Sequence, residues 1–248
     1  MKVSLITVCR NVAPVIAETL DGILGQTHPD LEIIVVDGAS TDGTVEILER
    51  YRPKLSAVVS EPDSGIYDAM NKGLRLATGD VIGFVNAGDL LMTPETIAHI
   101  VGAFMRSHAD AVYGDIIMVD EKDIFRIHRT WLSGTYHRGN FRKGWMPPHV
   151  GTFIRKSVYD RFGHFNTDLR IGADYEILLR FLYKHQIPTV HLREVLVRFR
   201  LGGMSNGNLK QILRANREVR RSWGLNGLQA PPLLVTRKLW SKVMQFFH

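Results

Sequence analysis

The stretch from Asp63 to Asp89, DSGIYDAMNKGLRLATGDVIGFVNAGD, decides the fold. Asp63-Ser64 supplies a helix N-cap, and Gly79 stands where a helix C-cap would sit. Between them Ile66, Ala69, Met70, Gly73, Leu74 and Ala77 recur three and four apart, the apolar stripe of one helix. Asp68, Asn71, Lys72 and Arg75 occupy its other side. Residues 81–85 then read as a short buried strand that ends in the polar turn Asn86-Ala87-Gly88-Asp89. A carboxylate just past the C-terminal end of a buried strand sits where open α/β sheets bind ligands.

Upstream, residues 2–8 alternate and carry Val, Ile and Thr as a strand does. Pro14 opens a helix over 15–24, at the position where proline is tolerated. Residues 31–36 form a second strand ending at Asp37, followed by a Gly/Ser/Thr/Asp turn, a short helix over 44–51 and a third strand over 55–60. Strands and helices alternating at this spacing predict an α/β fold with a doubly wound, mostly parallel sheet. Thr7, Arg10, Asn11, Asp37, Asp63 and Asp89 then converge on one sheet edge. Asp37 and its turn read either as ordinary turn chemistry or as a ligand contact. A calcium loop is excluded there, because glycine is not at the sixth position.

Downstream, Thr93-Pro94 starts a helix through Arg106, residues 110–120 are strand-like, and 124–129 pair with them as a hairpin. Residues 130–149 lack periodicity and read as a functional loop or plain surface loop. It ends in His149, whose imidazole is a metal ligand, an acceptor-facing group or a structural one. A strand over 150–154, a helix over 157–162 and a helix beginning at Asp174 follow, the aspartate capping that helix and complementing its dipole. Residues 188–201 hold two strand-like pieces. Arg198 and Arg200, before Gly202-Gly203-Met204-Ser205, read as a diphosphate clamp or as a solvated strand edge. A basic helix over 208–223 is followed by residues 233–247. Aromatic and basic side chains there, at helical spacing, suit either an interfacial membrane helix or packing on protein, including a second copy of the chain.

Composition bounds the class. The 248 residues are 45% hydrophobic and 23% charged, ordinary for one globular domain with a full core. The single cysteine, Cys9, excludes a disulfide framework and a multi-cysteine zinc site. No apolar run reaches the roughly 18 residues of a membrane-spanning helix, and the start has neither the length nor the cleavage site of a signal peptide. A cytoplasmic protein is expected, in solution or peripheral on the inner face of the membrane. The net charge of +6 suits phosphate-rich ligands or an anionic membrane surface, and no nucleic-acid-binding motif accompanies it. A nicotinamide-dependent dehydrogenase is disfavoured, since no G-x-G-x-x-G follows the first strand.

The run Ser64-Gly65-Ile66-Tyr67-Asp68-Ala69-Met70-Asn71-Lys72-Gly73 resembles the D-G-x-Y-D-A-M-N-K-G helix of family 2 glycosyltransferases, which have the GT-A fold. The resemblance extends over about residues 3–205. It implies a GT-A-like catalytic domain over 1–205, with a nucleotide-sugar half (1–92) and an acceptor half (93–205), and a C-terminal helical extension over 206–248. It implies an inverting hexosyl- or N-acetylhexosaminyl-transferase of glycan or surface-polysaccharide synthesis. The donor would be a nucleoside-diphosphate sugar, a UDP-sugar foremost, and the acceptor a saccharide hydroxyl, a lipid-linked saccharide included among the expectations. Thr7, Arg10, Asn11, Asp37, Asp63, Tyr67, Asp68, Asn71, Lys72, Asn86, Ala87 and Gly88 would bind the donor. Asp89, with His149 as a second candidate, would hold a divalent metal, Mn2+ or Mg2+. Asp174 would be the catalytic base. Two departures stand out: Asn86 and Gly88 replace carboxylates of the usual acidic turn, and Ala173 replaces the first acid of a common Glu-Asp pair. They motivate the rival expectation of a non-catalytic nucleotide-sugar or membrane-surface binding protein on a degenerate scaffold. The Gln-x-x-Arg-Trp motif of processive synthases is absent, which favours single addition.

Overall fold

The computed structural model describes residues 1–202, 209–232 and 234. The first third is a repeated strand–helix unit: β1 (Val3–Cys9), α1 (Ile16–Leu24), β2 (Leu31–Asp37), α2 (Thr44–Tyr51), β3 (Ala57–Ser60), α3 (Ile66–Leu76) and β4 (Val81–Phe84). These four strands are parallel, in the order β3-β2-β1-β4. Every residue of β1 is buried, as expected where helices cover both faces of a parallel sheet.

The remaining elements extend the same sheet. They are β5 (Leu90–Leu91), α4 (Thr96–Ser107), β6 (Ala111–Val119), β7 (Ile127–Trp131), β8 (Thr152–Arg155), α5 (Lys156–Phe162), α6 (Ala173–Leu178), β9 (Thr189–Arg200) and α7 (Leu209–Leu225). The order runs β3-β2-β1-β4-β8-β6-β9-β5, with β7 beside β6. β8 is antiparallel to both β4 and β6, and so forms the seam between the first half and the second. β9 is one strand where two pieces were expected. Register shifts opposite Tyr113, Asp115 and Ile116 let it bend along β6 without breaking. β5 has too few residues for any alternation to show.

Helices α1, α2 and α4 cover one face of the sheet, and α3, α5, α6 and α7 the other. Helix α3 lies directly on β1: a methyl at Gly73 would fall inside the side chain of Ile6. It starts after Gly65 and ends at Ala77, not at the Asp63-Ser64 and Gly79 expected as caps. Asp63 and Asp68 instead accept the Gly65 and Ser64 amides just before the first turn, which moves the boundary inward. At the far edge of the sheet, burial would raise the Glu32 carboxyl. Bonds from Lys2, Ser4 and Thr78 at 2.6–2.7 Å outweigh it and hold the group at about 2. One carboxylate thus knots β1, β2 and the α3–β4 turn.

Helix α7, expected as an appendage, packs into the same apolar cluster as α3 and α6 through Val219 and Trp223. Trp223 is fully buried, and its indole N–H donates to the Tyr175 hydroxyl at 3.0 Å. The proposed interfacial segment over 233–247 lies outside the described residues except for the buried Leu234. Among the described residues no helix is long and apolar enough to cross a membrane. Trp223→Ala is expected to cost about 3–5 kcal/mol in chemical denaturation, because it opens a cavity in this cluster. A loss below about 1 kcal/mol would mean that α7 adds nothing to the core.

Candidate active site

The C-terminal ends of β1, β2 and β3 are in register, with Cys9 opposite Asp37 and Asp37 opposite Ser60. Asp37 is fully buried and turned onto its own loop. It accepts the Ser40 N–H at 2.9 Å, the Ser60 hydroxyl at 2.7 Å and the Ser40 hydroxyl. The loop after β1 is stitched to that turn. Asn11, in the left-handed region with φ 54°, accepts from Thr41 N–H at 2.8 Å and donates its own N–H to Ser40 Oγ at 2.7 Å. Val12 and Ala13 donate to Thr44 and Asp42 at 2.9 and 3.0 Å. Asp63 presses against Gly38, where any Cβ would collide with its carboxylate, and the stem of Arg10 lies on the same glycine. Arg10 itself is exposed. Two loops and the residues just before α3 thus bring a cation and a carboxylate together at one edge. The Thr7 hydroxyl, 0% exposed beneath them, has no hydrogen-bond partner.

The turn after β4 is built from behind. The Thr19 hydroxyl of α1 accepts the Gly88 N–H at 2.8 Å and donates to the Asp89 carbonyl at 3.1 Å. Arg200, at the end of β9, gives its N–H to Asp89 Oδ1 at 3.1 Å and its Nε–H to the Gly88 carbonyl at 3.0 Å. The rest of its guanidinium binds the Glu121 carbonyl and Glu18. Arg198 donates to the Ile124 carbonyl at 3.3 Å and lies over the Phe125 ring. Both arginines thus have protein partners, and Arg200 braces the turn, where the sequence left a diphosphate clamp open. Gly203, Met204 and Ser205 lie outside the described residues.

Asp89 Oδ2 and Asn86 Oδ1 are buried without hydrogen-bond partners. Burial pushes the Asp89 carboxyl up to about 7, against the opposing pull of Arg200 and Asn86. Among the described residues, no three His, Cys, Asp or Glu side chains gather into a metal-holding group. A carboxylate and an amide oxygen are nevertheless hard ligands, and Mg2+ is commonly bound through one or two carboxylates with substrate phosphates and water. These two orphaned oxygens therefore fit a divalent cation that arrives with a diphosphate.

The helix motif does much of its work inward. The Tyr67 hydroxyl donates to the Ile171 carbonyl at 2.6 Å. Asn71 bonds the Phe165 backbone twice, at 2.9 and 3.0 Å. Lys72 pairs with Glu61 at 2.8 Å and donates to the Pro62 carbonyl at 2.7 Å, while Asp68 holds the Ser64 amide. The structure gives these four residues roles in joining and orienting loops.

Asp174 was expected as the cap of its helix. The helix begins at Ala173, with Gly172 in the capping position, so Asp174 is the second helical residue. It is half-buried, and its Oδ1 accepts the next N–H, that of Tyr175, at 2.7 Å. Its charge reaches Tyr67 and His149: burial lowers the imidazole and Asp174 opposes the shift. The His149 ring packs against Phe84 of β4 at 5.2 Å and against Phe165 at 5.4 Å. Asp174 therefore stands by the end of β4, on the sheet edge that carries the other loops.

A family model described as Glycosyl transferase family 2 matches residues 4–162. The PGL/p-HBAD biosynthesis glycosyltransferase of Mycobacterium bovis (strain BCG / Pasteur 1173P2) is 34% identical over 209 residues, 82% of this chain and 78% of that one. The chain belongs to glycosyl transferase family 2. This family 2 glycosyltransferase also superposes on solved structures. S. aureus TarS 1–349 in complex with UDP-GlcNAc has a TM-score of 0.71 at 19% identity, over 96% of this chain and 69% of that one. The mannosyltransferase PcManGT from Pyrobaculum calidifontis, in complex with GDP-Man and Mn2+, has a TM-score of 0.67 at 23% identity over the same shares. At these identities the likeness speaks for the fold, which is the α/β, mostly parallel, GT-A-like one expected. The family match ends before Asp174 and α7, so that region of the glycosyltransferase is read from its own geometry.

The Asp89 shift gives a pH prediction. Its carboxyl ionises near 4 in the unfolded chain and near 7 in the fold. Between those values the unfolded chain sheds a proton that the folded one keeps. Stability therefore falls with rising pH, by up to about 1.4 kcal/mol per unit, and the loss levels off above 7. Wild type should lose stability relative to Asp89→Asn between pH 4.5 and 7 in urea unfolding. Parallel curves would show that Asp89 is ionised throughout.

Proposed function

We propose that this glycosyltransferase moves a hexosyl or N-acetylhexosaminyl group from a nucleoside-diphosphate sugar to an acceptor hydroxyl, with inversion, in glycan or glycolipid biosynthesis. The observation that carries this is the placement of Asp174. It is a half-buried carboxylate with one oxygen on a backbone amide, at the sheet edge where Arg10, Gly38, Asp63 and the Asn86–Asp89 turn converge. Residues 1–92 would carry the donor and 93–205 the acceptor. That TarS was solved with UDP-GlcNAc, and PcManGT with GDP-Man and Mn2+, supports a nucleotide-sugar donor, with UDP as the first nucleoside diphosphate to test.

In this reading the donor diphosphate lies over the stitched loops, with Arg10 facing it. Thr7, Asn11, Asp37 and Asp63 shape that cradle, and Asn86, Ala87 and Gly88 form its floor. Asp89 and Asn86 would hold Mn2+ or Mg2+, which supplies charge stabilisation to the departing diphosphate. His149, neutral and walled by aromatic rings, orders the space beside Asp174. The acceptor hydroxyl gives its proton to the Asp174 carboxylate as its oxygen bonds the anomeric carbon. The bond from that carbon to the diphosphate oxygen breaks on the opposite face, and the electron pair leaves on the diphosphate. One base suffices for inversion.

Two experiments test this. Asp174→Asn retains the acceptor oxygen for the Tyr175 amide but removes the basicity. Melting temperature and donor affinity should stay near wild type while transfer falls about a hundredfold or more. Full activity in that variant would place the base elsewhere. A thermal-shift panel of nucleotide sugars, with and without Mn2+, should show stabilisation that needs both metal and Asp89. Metal-independent binding with no release of nucleoside diphosphate would instead favour a non-catalytic binding protein, the reading that Asn86 and Ala173 suggest.

A further inference from the structure

The turn that leads into Asp174 is gripped from two sides. Glu218 of α7 is buried, and its Oε2 accepts the N–H groups of both Ile171 and Gly172, at 2.8 and 2.9 Å. On the other side the Tyr67 hydroxyl holds the Ile171 carbonyl at 2.6 Å. Both faces of one peptide segment are thus taken by buried side chains from α3 and α7, three residues before Asp174 and fewer. Further along, Trp223 bonds the Tyr175 hydroxyl, and Asn226 gives its amide to Glu176 Oε1 at 2.9 Å. Glu218 is the sole acid in α7, whose solvent side carries Lys210, Arg214, Arg217, Arg220 and Arg221. Its nearest cation, Arg214, stands 3.8 Å away from the other carboxylate oxygen, so the strong bonds of Glu218 are those to the turn.

We propose that Glu218 is a positioning residue for transfer: with Tyr67 it clamps residues 171–172 and so sets where the Asp174 carboxylate stands. This rests on the reading of Asp174 as the base. A carboxylate accepting two N–H groups makes charge-assisted bonds stronger than neutral ones, and a buried amide left without its acceptor is costly. The segment has little else to hold it, because α6 itself is short and its first intrahelical bond, from Glu176 N–H to the Gly172 carbonyl, begins at the clamped residue. Proton transfer demands placement to within a fraction of an ångström, so loosening the turn costs rate more than donor affinity. Helix α7, distant in sequence and outside the family match, is by this inference part of the transfer machinery.

The test uses the full chain, with UDP-N-acetylglucosamine and GDP-mannose as donors and nucleoside-diphosphate release as the turnover assay. The 13C resonance of the Asp174 carboxyl serves as a readout independent of turnover. Glu218→Ala and Tyr67→Phe should lower kcat tenfold or more, leave donor KM within about threefold, and displace the Asp174 resonance. Glu218→Gln keeps an oxygen able to accept both N–H groups, and should restore kcat to within about threefold and return the resonance. Wild-type kcat and resonance in Glu218→Ala would overturn the inference, as would Glu218→Gln being as impaired as the alanine variant. If Glu218→Ala does not fold, an unmoved resonance in Tyr67→Phe overturns it; if neither donor turns over, the resonance decides alone. Failure of the underlying reading looks different: Asp174→Asn would then release nucleoside diphosphate at the wild-type rate.

Discussion

The architecture depends on how closely α3 approaches the sheet. A side chain at position 73 would occupy the volume of Ile6, so the helix axis can sit where it does only over glycine. From that distance Tyr67 reaches Ile171, and Asn71 reaches both polar groups of Phe165. Three hydrogen bonds, all to backbone some 94–104 residues away, tie the parallel first half to the segments beyond β8. Buried amides and carbonyls need partners, and here one helix face supplies them to loops that have no ladder of their own. The aromatic rings add to the same joint: Tyr67 stacks on Phe165 at 5.6 Å, and Phe84 meets Phe165 edge-on at 5.5 Å.

The second joint is polar and lies under α6. Glu176 is buried and receives Arg180 at 3.0 Å and Asn226 at 2.9 Å, while the Arg180 guanidinium also reaches the carbonyls of Phe162 and His164. A buried ion pair is weak evidence for stability, because desolvation offsets most of the attraction. A fully satisfied network does impose direction, since each member has one arrangement that leaves nothing unpaired. Beneath Asp174 the network fixes the rotation of a helix only six residues long before it loosens into a π-helical turn at Leu179–Lys184.

Much of this was legible in the sequence. The alternation of β-branched runs with amphipathic segments announced the parallel strands of the first half, and the polar residues after them announced where their C-terminal ends meet. The stripe of α3 was legible too, although Asn71, placed on the opposite side, is buried, as is Tyr67, which the stripe did not include. Their polar atoms bond backbone far along the chain, and no local pattern reveals a long-range partner. Asp37 illustrates the converse: Ser40 and Ser60 saturate it, and the second of these is 23 residues away. Thr19 gave no signal, being one threonine in an amphipathic helix. Glu218 did leave one. It shares a helix face with Val219, Ser222, Trp223 and Asn226, and a lone acid on the apolar side of a basic helix asks for a buried partner.

The bonds from α7 to the turn before Asp174 also have a temporal side. Chains grow from the N-terminus, and domains tend to fold as they appear. The four parallel strands and their crossovers are complete by Phe84, so the loops at their C-terminal ends can close early. The acceptor for the Ile171 and Gly172 amides arrives only with Glu218, 47 and 46 residues later. A polypeptide stopped short of that point, by a ribosome or a protease, lacks the acceptor for these two amides and holds the turn before Asp174 by the Tyr67 side alone. Under the proposed function, synthesis itself thereby sets an order in which the donor cradle is complete before the base is held in place.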